Sequence, residues 1–187
     1  MDKKLCVPFV AAIIERRHEG RLQLLIQTRQ QTFTNSIYNG TFEFAAGVLD
    51  IEYENVYDAA AREIKEETGL TLKRFINDSR TEVHSPQKND AAFGFRPFCC
   101  TQQLKDGRPW VGFIFRCEVD DGEPIDQIGE SSGVHWVDAA EVQQLYEQTP
   151  EKLFTLEIPA WDYYFQAVDL AASAETPDHS QNLRDDD

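Results

Sequence analysis

The sequence of 187 residues has no apolar run close to the ~20 residues that a membrane-spanning helix needs. Its first ten residues, MDKKLCVPFV, lack the apolar length of a secretory signal. Its four cysteines, Cys6, Cys99, Cys100 and Cys117, have neither zinc-site spacing nor the pattern of a disulfide framework. We therefore expect a cytoplasmic protein with no membrane partner.

Basic residues are also scarce: 18 Lys and Arg stand against 33 Asp and Glu, which gives a net charge of −15. This charge would repel nucleic acid and anionic membranes, so neither is expected as a partner. An anionic small molecule would have to be attracted by local cations or by a bound metal ion. The length suits one domain, which we place at residues 1–170, followed by an acidic and disordered tail at 171–187.

The acids concentrate in residues 44–70, FAAGVLDIEYENVYDAAAREIKEETGL. Between Asp50 and Glu67 there are seven acids and only two bases. A run of three alanines favours a helix, Asp58 suits its N-terminus, and Gly69 suits the position just after its end. The segment is therefore predicted to be a glycine loop followed by an acidic helix.

Helical spacing places Glu63, Glu66 and Glu67 toward one side of this helix. Arg62 lies four residues before Glu66 and can pair with it, and Glu54 can fold back onto the same region. Grouped carboxylates repel one another, and a divalent cation would offset that repulsion. Oxygen-only ligands favour Mg²⁺ over zinc. The alternative is an acidic helix face that is merely solvated.

The pattern resembles the signature of the Nudix hydrolases, GX5EX7REUXEEXGU with U apolar. The matching residues are Glu54, Arg62, Glu63, Ile64, Glu66, Glu67, Gly69 and Leu70. One position departs, because six residues, rather than five, separate Gly47 from Glu54. Either Val48 replaces the glycine or the loop has one extra residue, and we favour the extra residue.

The resemblance implies roles for these residues. Glu66 and Glu67 would bind the metal, Mg²⁺ with Mn²⁺ as a possible substitute, and Gly47 would contribute its backbone carbonyl. Glu63 would be a metal ligand or the general base, and Arg62 would orient the carboxylates. An acid in the loop before the strand at 134–137 would complete the site, with Glu130 preferred and Glu123 in reserve.

Pro86 suggests a subgroup. It follows Leu70 with fifteen residues between, and a proline at about this distance is typical of the ADP-ribose and ADP-sugar pyrophosphatases. Residues 43–47, EFAAG, resemble the E-x-P-A-G of that group, although the glycine usual after Ser-Pro is replaced by Gln87. Arg29, at the end of a predicted strand, is either a phosphate ligand or an exposed arginine.

Three functions stay open. The first is Mg²⁺-dependent hydrolysis of a nucleoside diphosphate linked to another moiety. The second is pyrophosphate release from a nucleoside triphosphate, including oxidised ones. The third is a non-catalytic Nudix-fold binding module. In each case the partner is a small nucleotide.

The order of predicted elements is strands, glycine loop, helix, hairpin, strand and helix, which favours a mixed sheet between helices, an α/β/α sandwich. We expect a strand at 5–14, a hairpin around Gly20 and a strand ending at Arg29. Asp138 should cap a helix, and residues 150–165 should form another. That last helix carries the aromatic cluster Trp161, Tyr163, Tyr164 and Phe165, which would close the core or form a homodimer contact. Cys99, Cys100 and Cys117 are expected as small core residues.

Overall fold

The computed structural model describes residues 5–30, 38–105, 109–126 and 131–168. Two expectations therefore lie outside the described residues: the tail at 171–187 and the acid at Glu130. No helix in the described ranges is long and apolar enough to cross a membrane.

The chain begins with a β-hairpin. Strands β1 (Val7–His18) and β2 (Arg21–Arg29) pair antiparallel, and His18 faces Arg21. Only Glu19 and Gly20 lie between them, with φ of 49° and 77°. Two consecutive residues of positive φ form the tight turn whose twist matches that of the flanking strands. The predicted hairpin around Gly20 is confirmed, and β1 extends four residues beyond the predicted end at residue 14.

The sheet is built around β1. The remaining strands are β3 (Phe42–Glu43), β4 (Ala45–Val48), β5 (Leu72–Phe75), β6 (Cys99–Gln102), β7 (Trp110–Val119) and β8 (Ser131–Asp138). Along one edge of β1, residues 9–12 pair with β4 and residues 15–18 pair with β2. Along the opposite edge, β7 runs parallel to β1. The other pairings are antiparallel: β2 pairs with β3 and β8, and β7 pairs with β5 and β6. The sheet is therefore mixed, as predicted.

Helices cover both faces of the sheet. They are α1 (Val56–Thr68), α2 (Ala139–Gln148) and α3 (Ile158–Ala167). Successive side chains of a strand point to opposite faces. Accordingly, Phe9, Ala11 and Ile13 of β1 join the core cluster under α2 and α3, whereas Val10, Ala12 and Ile14 join the one under α1. The predicted α/β/α sandwich is confirmed.

The helix predicted at 150–165 is wrong in its extent. Residues Pro150–Lys152 and Thr155–Glu157 form short 3-10 turns, and α3 begins only at Ile158. Between the two turns the chain is held extended, because the Phe154 N–H donates to the Phe42 carbonyl at 2.8 Å. Pro159 then occupies the first turn of α3, where a missing N–H costs nothing.

Three side chains differ from expectation. Cys100 is exposed, because successive side chains of β6 point to opposite faces of the sheet and the neighbouring Cys99 points into the core. Tyr163 is exposed, whereas Trp161 and Tyr164 are buried in the core. Asp138 does stand at the N-cap position of α2, but its side chain makes no capping hydrogen bond. It accepts hydrogen bonds from Arg21 and Gln23 of the neighbouring strand instead.

Candidate active site

Helix α1 positions most of the candidate residues. Its N-cap is Asn55, whose side-chain oxygen accepts the N–H groups of Tyr57 and Asp58 at 3.0 Å each. It ends at Gly69, whose φ of 72° is left-handed, and the Gly69 N–H donates to the Lys65 carbonyl at 3.1 Å. Ile64 is fully buried against the sheet. These contacts fix the rotation of the helix, and so the directions of its acids.

Arg62 is the centre of one group of carboxylates. Its guanidinium donates to both oxygens of Glu54, at 3.0 Å each, and also to Glu63 and Glu66. The hydrogen bond from Arg62 lowers the pKa of Glu54, and the hydrogen bond to Glu54 is the largest cause of the raised pKa of Arg62. The predicted pairing of Arg62 with Glu66 is present, and Glu54 folds back onto the helix as expected.

Glu67 points instead toward the sheet. Its Oε2 accepts the Gln27 side-chain amide at 2.8 Å and the Ala46 N–H at 2.9 Å. Part of its surface remains accessible. The carboxylate nevertheless lies so deep among protein atoms that burial raises the pKa of Glu67 to about 8, and the charges of Glu43 and Glu63 add to the effect. Such a carboxylate is mostly protonated at neutral pH, and an adjacent cation would favour its ionised form.

Gly47 lies directly against Glu63. A Cβ built on Gly47 would stand 1.9 Å from Cδ of Glu63, far inside any allowed contact. Glu63 therefore packs on the bare backbone of β4, and burial raises its pKa. Any side chain at position 47 would therefore displace Glu63.

The chemistry of these groups fits a hard divalent cation. The donors are carboxylate and carbonyl oxygens, which Mg²⁺ prefers, and the buried Glu67 would be stabilised as an anion by an adjacent ion. Within the described ranges, however, no three acidic, histidine or cysteine side chains stand ready as a metal cluster. The reason is visible in the contacts, since Arg62 engages Glu63 and Glu66 whereas Gln27 and Ala46 hold Glu67. Metal binding would therefore require Glu63 and Glu66 to turn from Arg62.

Another buried acid, Glu157, lies near Glu67 and was not singled out from the sequence. Glu157, in the turn before α3, is 1% exposed, and its Oε2 accepts the Phe44 N–H at 2.9 Å. Its Oε1 has no hydrogen-bond partner among the described residues. Burial, and then the charge of Glu43, raises its pKa well above the ordinary range. Glu157 lies between apolar residues and 90 positions after Glu67, so nothing in the neighbouring sequence indicates that it belongs to the site. The fold alone places it near Glu67.

Glu157, Phe44, Gln27 and Glu67 form one connected path. The amide of Gln27 donates to the Phe44 carbonyl at 3.1 Å as well as to Glu67, while Phe44 donates to Glu157. Residues of β2, of the junction of β3 and β4, of α1 and of the turn before α3 therefore meet at this point.

The remaining predicted residues have different surroundings. Arg29 forms an ion pair with Glu43 at 2.5 Å and lies 4.6 Å from the ring centroid of Phe154, so it is mostly buried and not an exposed strand-end arginine. Pro86 is exposed in the long excursion between β5 and β6. Glu123 is largely exposed and pairs with Arg16 at 3.1 Å. Substrate binding by Arg29 and Pro86 stays a prediction.

Comparison with solved structures shows the same fold. The NUDIX domain of Shewanella oneidensis NrtR, determined with ADP ribose, matches with a TM-score of 0.61 at 14% identity, over 88% of this chain and 90% of that one. A NUDIX hydrolase from Nitrosomonas europaea matches with a TM-score of 0.56 at 18% identity, over 87% and 90%. A C. elegans Ap4A hydrolase binary complex matches with a TM-score of 0.52 at 13% identity, over 87% and 99%.

None of the curated proteins compared with the chain matches it. The family model of the NUDIX domain does match, over residues 7–156, which include the signature helix, Gln27, Phe44 and the eight strands of the described residues. The chain therefore belongs to the NUDIX family and is a Nudix-type pyrophosphohydrolase.

Proposed function

We propose that the chain catalyses the Mg²⁺-dependent hydrolysis of a nucleoside diphosphate linked to another moiety, of the ADP-ribose or nucleotide-sugar type. The observation that carries this proposal is the placement of Glu67. Its carboxylate is anchored by Gln27 and Ala46 and has a pKa raised to about 8 by burial. A buried acid of this kind, beside a second acid on a bare glycine backbone, suits a site that works with a cation bound.

In the proposed reaction, water attacks one phosphorus of the diphosphate, and the bond from that phosphorus to the bridging oxygen breaks. The products are a nucleoside monophosphate and the phosphate of the second moiety. Bound Mg²⁺ would supply charge neutralisation of the diphosphate and lower the pKa of water at the site. The attacking water must lose a proton, and the residues proposed to accept it are Glu63 and Glu130.

The chain's own residues divide the remaining tasks. Glu66 and Glu67 are proposed as metal ligands, with the Gly47 carbonyl beside them, and Mn²⁺ is a possible substitute for Mg²⁺. Arg62 restrains Glu54 through two hydrogen bonds, and in the metal-free fold it also holds Glu63 and Glu66. Since the chain carries a net charge of −15, the bound cation would also have to attract the anionic substrate.

Two observations support a linked diphosphate as substrate. The sequence places Pro86 and residues 43–47 in positions that resemble the ADP-ribose and ADP-sugar group. The NrtR domain, which has the same fold, was determined with ADP ribose. The test is incubation of the purified protein with ADP-ribose and Mg²⁺, with separation of AMP and ribose 5-phosphate by chromatography. We expect AMP to appear with wild-type protein and Mg²⁺, and to be absent in EDTA or with Glu67→Gln; no AMP under any condition would overturn the substrate assignment.

The alternative substrate is a nucleoside triphosphate. It stays open because Gln87 replaces the glycine usual after Ser-Pro in the ADP-sugar group, which weakens the resemblance to that group. Release of pyrophosphate from a panel of ordinary and oxidised triphosphates, with no cleavage of ADP-ribose, would select it. The same enzyme assay with Mg²⁺ and with Mn²⁺ identifies the working metal. A homodimer contact through the C-terminal aromatic cluster and a cytoplasmic location stay predictions.

A further inference from the structure

A second pocket lies at the edge of the sheet formed by β7. Strands β5 and β6 pair with the same edge of β7, one after the other. The Ile76 N–H donates to the Arg116 carbonyl and the Phe98 N–H to the Ile114 carbonyl, both at 2.8 Å. Residues 77–97 leave the sheet at this junction and return to it. The pocket, of about 160 Å³, opens there, and we call it the junction pocket.

The junction pocket is separate from the glutamate site. Gly47 pairs with Val10 of β1, and Val10 pairs with Phe113 of β7. The pocket lies beyond β7, so about three interstrand spacings, on the order of 14 Å, separate it from Gly47. Strands β1 and β7 stand between the two sites.

The walls of the junction pocket are aromatic. Tyr57 of α1, Phe75, Phe98 and Phe115 all line it. A cavity of roughly 150 Å³ with apolar walls holds one benzene ring in another protein, so a pocket of this size and lining suits one planar ring.

Tyr57 is the polar member of that wall. It is 3% exposed, and Asp78, which also lines the pocket, is the acceptor next to its hydroxyl. Burial, and then the hydrogen bond to Asp78, raises the pKa of Tyr57 to about 12.

The rim of the junction pocket is cationic, although the chain as a whole is strongly acidic. Arg96 lines the pocket, is exposed, and makes no ion pair with a described residue. Arg116 lines it too and is paired with Glu15, while Arg80 lies 4.4 Å from the centroid of the Tyr57 ring and pairs with Asp78. Glu15 and Asp78 neutralise Arg116 and Arg80, so the excess positive charge at the rim is that of Arg96.

We propose that the junction pocket binds the heteroaromatic ring of a nucleoside monophosphate, with the phosphate held at Arg96. The aromatic walls and the pocket volume select one planar base. The guanidinium of Arg96 pairs with the phosphate, which lies outside the cavity. This site does not depend on the hydrolysis proposed above.

The test is calorimetric titration of the full chain with AMP in EDTA. Without a divalent cation the glutamate site repels a phosphate, so the titration reports mainly on the junction pocket. We expect one AMP per chain to bind, adenosine to bind more weakly because it lacks the phosphate, and inorganic phosphate to bind most weakly because it lacks the ring.

Two variants make the assignment specific. Arg96→Glu reverses the charge at the rim and should weaken AMP binding at least about tenfold, and Ile76→Trp should abolish it by filling the pocket. Arg74→Glu, on the neighbouring strand β5 but outside the pocket lining, and Glu67→Gln should both leave it unchanged.

Circular dichroism checks the fold of each variant, and Arg96→Glu stands alone if Ile76→Trp does not fold. The proposal is overturned if AMP does not bind in EDTA, if Arg96→Glu binds AMP as the wild type does, or if Glu67→Gln abolishes binding.

Discussion

Arg62 holds Glu54 through two parallel hydrogen bonds, from Nε to Oε1 and from Nη2 to Oε2, each 3.0 Å long. A fork of this kind fixes orientation as well as distance. The third nitrogen of the same guanidinium bonds Glu66 at 3.0 Å and also reaches Glu63. The Arg62 guanidinium therefore connects the loop before α1 to Glu63 and Glu66, two of the proposed site carboxylates.

Arg62→Lys should lower metal-dependent hydrolysis by about 10–100-fold, the range typical when a residue that orients metal ligands is changed. A lysine keeps the charge but cannot form the fork to Glu54, so the loop loses its fixed position. The measurement is kcat/KM for ADP-ribose with Mg²⁺, and for triphosphates if these prove to be the substrate. Arg74→Lys is the matched control, because Arg74 makes an equivalent two-bond contact with Glu118 at the far edge of the sheet. An equal loss in both variants would show that the effect is not specific to the site.

Gly47→Ala should abolish most of the activity while leaving the protein folded. The new Cβ would stand 1.9 Å from Cδ of Glu63, so the glutamate must leave its position on β4. The control is Gly122→Ala, where the nearest atom outside the neighbouring residues is Leu70 Cδ2 at 3.4 Å, an ordinary contact. Kinetics and thermal melting of both variants distinguish the outcomes; a Gly47→Ala enzyme with normal kcat/KM would mean that the position of Glu63 is unimportant.

The sequence predicts α1, its glycine end and the pairing of Arg62 with Glu66, because each depends on residues within four positions of one another. It also predicts the mixed sheet between helices, from the order of the predicted strands and helices. It does not predict the direction of Glu67, which is set by Gln27 and Ala46 from two other strands. Nor does it predict that the loop after Gly47 turns at Tyr53, a non-glycine residue with φ of 62°.

Metal-free protein should lose stability as the pH rises from about 4.5 to about 8, in part because of Glu67. Its pKa is raised from 4.5 to about 8 by burial, so between these values the unfolded chain has released the proton while the folded chain retains it. The folded state binds more protons in this window, and the free energy of unfolding therefore falls with rising pH.

Glu67→Gln should flatten this dependence, because the amide does not titrate. The measurement is the melting temperature in EDTA across that pH range, compared between wild type and variant. Addition of Mg²⁺ at neutral pH should raise the melting temperature of the wild type more than that of the variant. A wild type whose stability rises with pH in the same way as the variant's would show that Glu67 is already ionised without metal.

The contact between Glu157 and the Phe44 N–H should be structural and not dependent on charge. Burial raises the pKa of Glu157 well above its usual range, which favours the neutral form of the side chain in the metal-free fold. Glu157→Gln keeps a carbonyl oxygen that can accept the Phe44 N–H and should retain both stability and activity. Glu157→Leu removes the acceptor and leaves that N–H buried without a partner, which costs about 1–3 kcal/mol.

The same contact reaches the site through Gln27, which donates to both the Phe44 carbonyl and Glu67. Glu157→Leu should therefore also lower kcat, and raise the Mg²⁺ concentration needed for half-maximal activity, since Glu67 loses part of its support. Urea unfolding gives the stability of each variant, and titration with Mg²⁺ gives its metal dependence. If Glu157→Gln were as inactive as Glu157→Leu, the ionisable carboxyl itself would be required, and a purely structural role would be excluded.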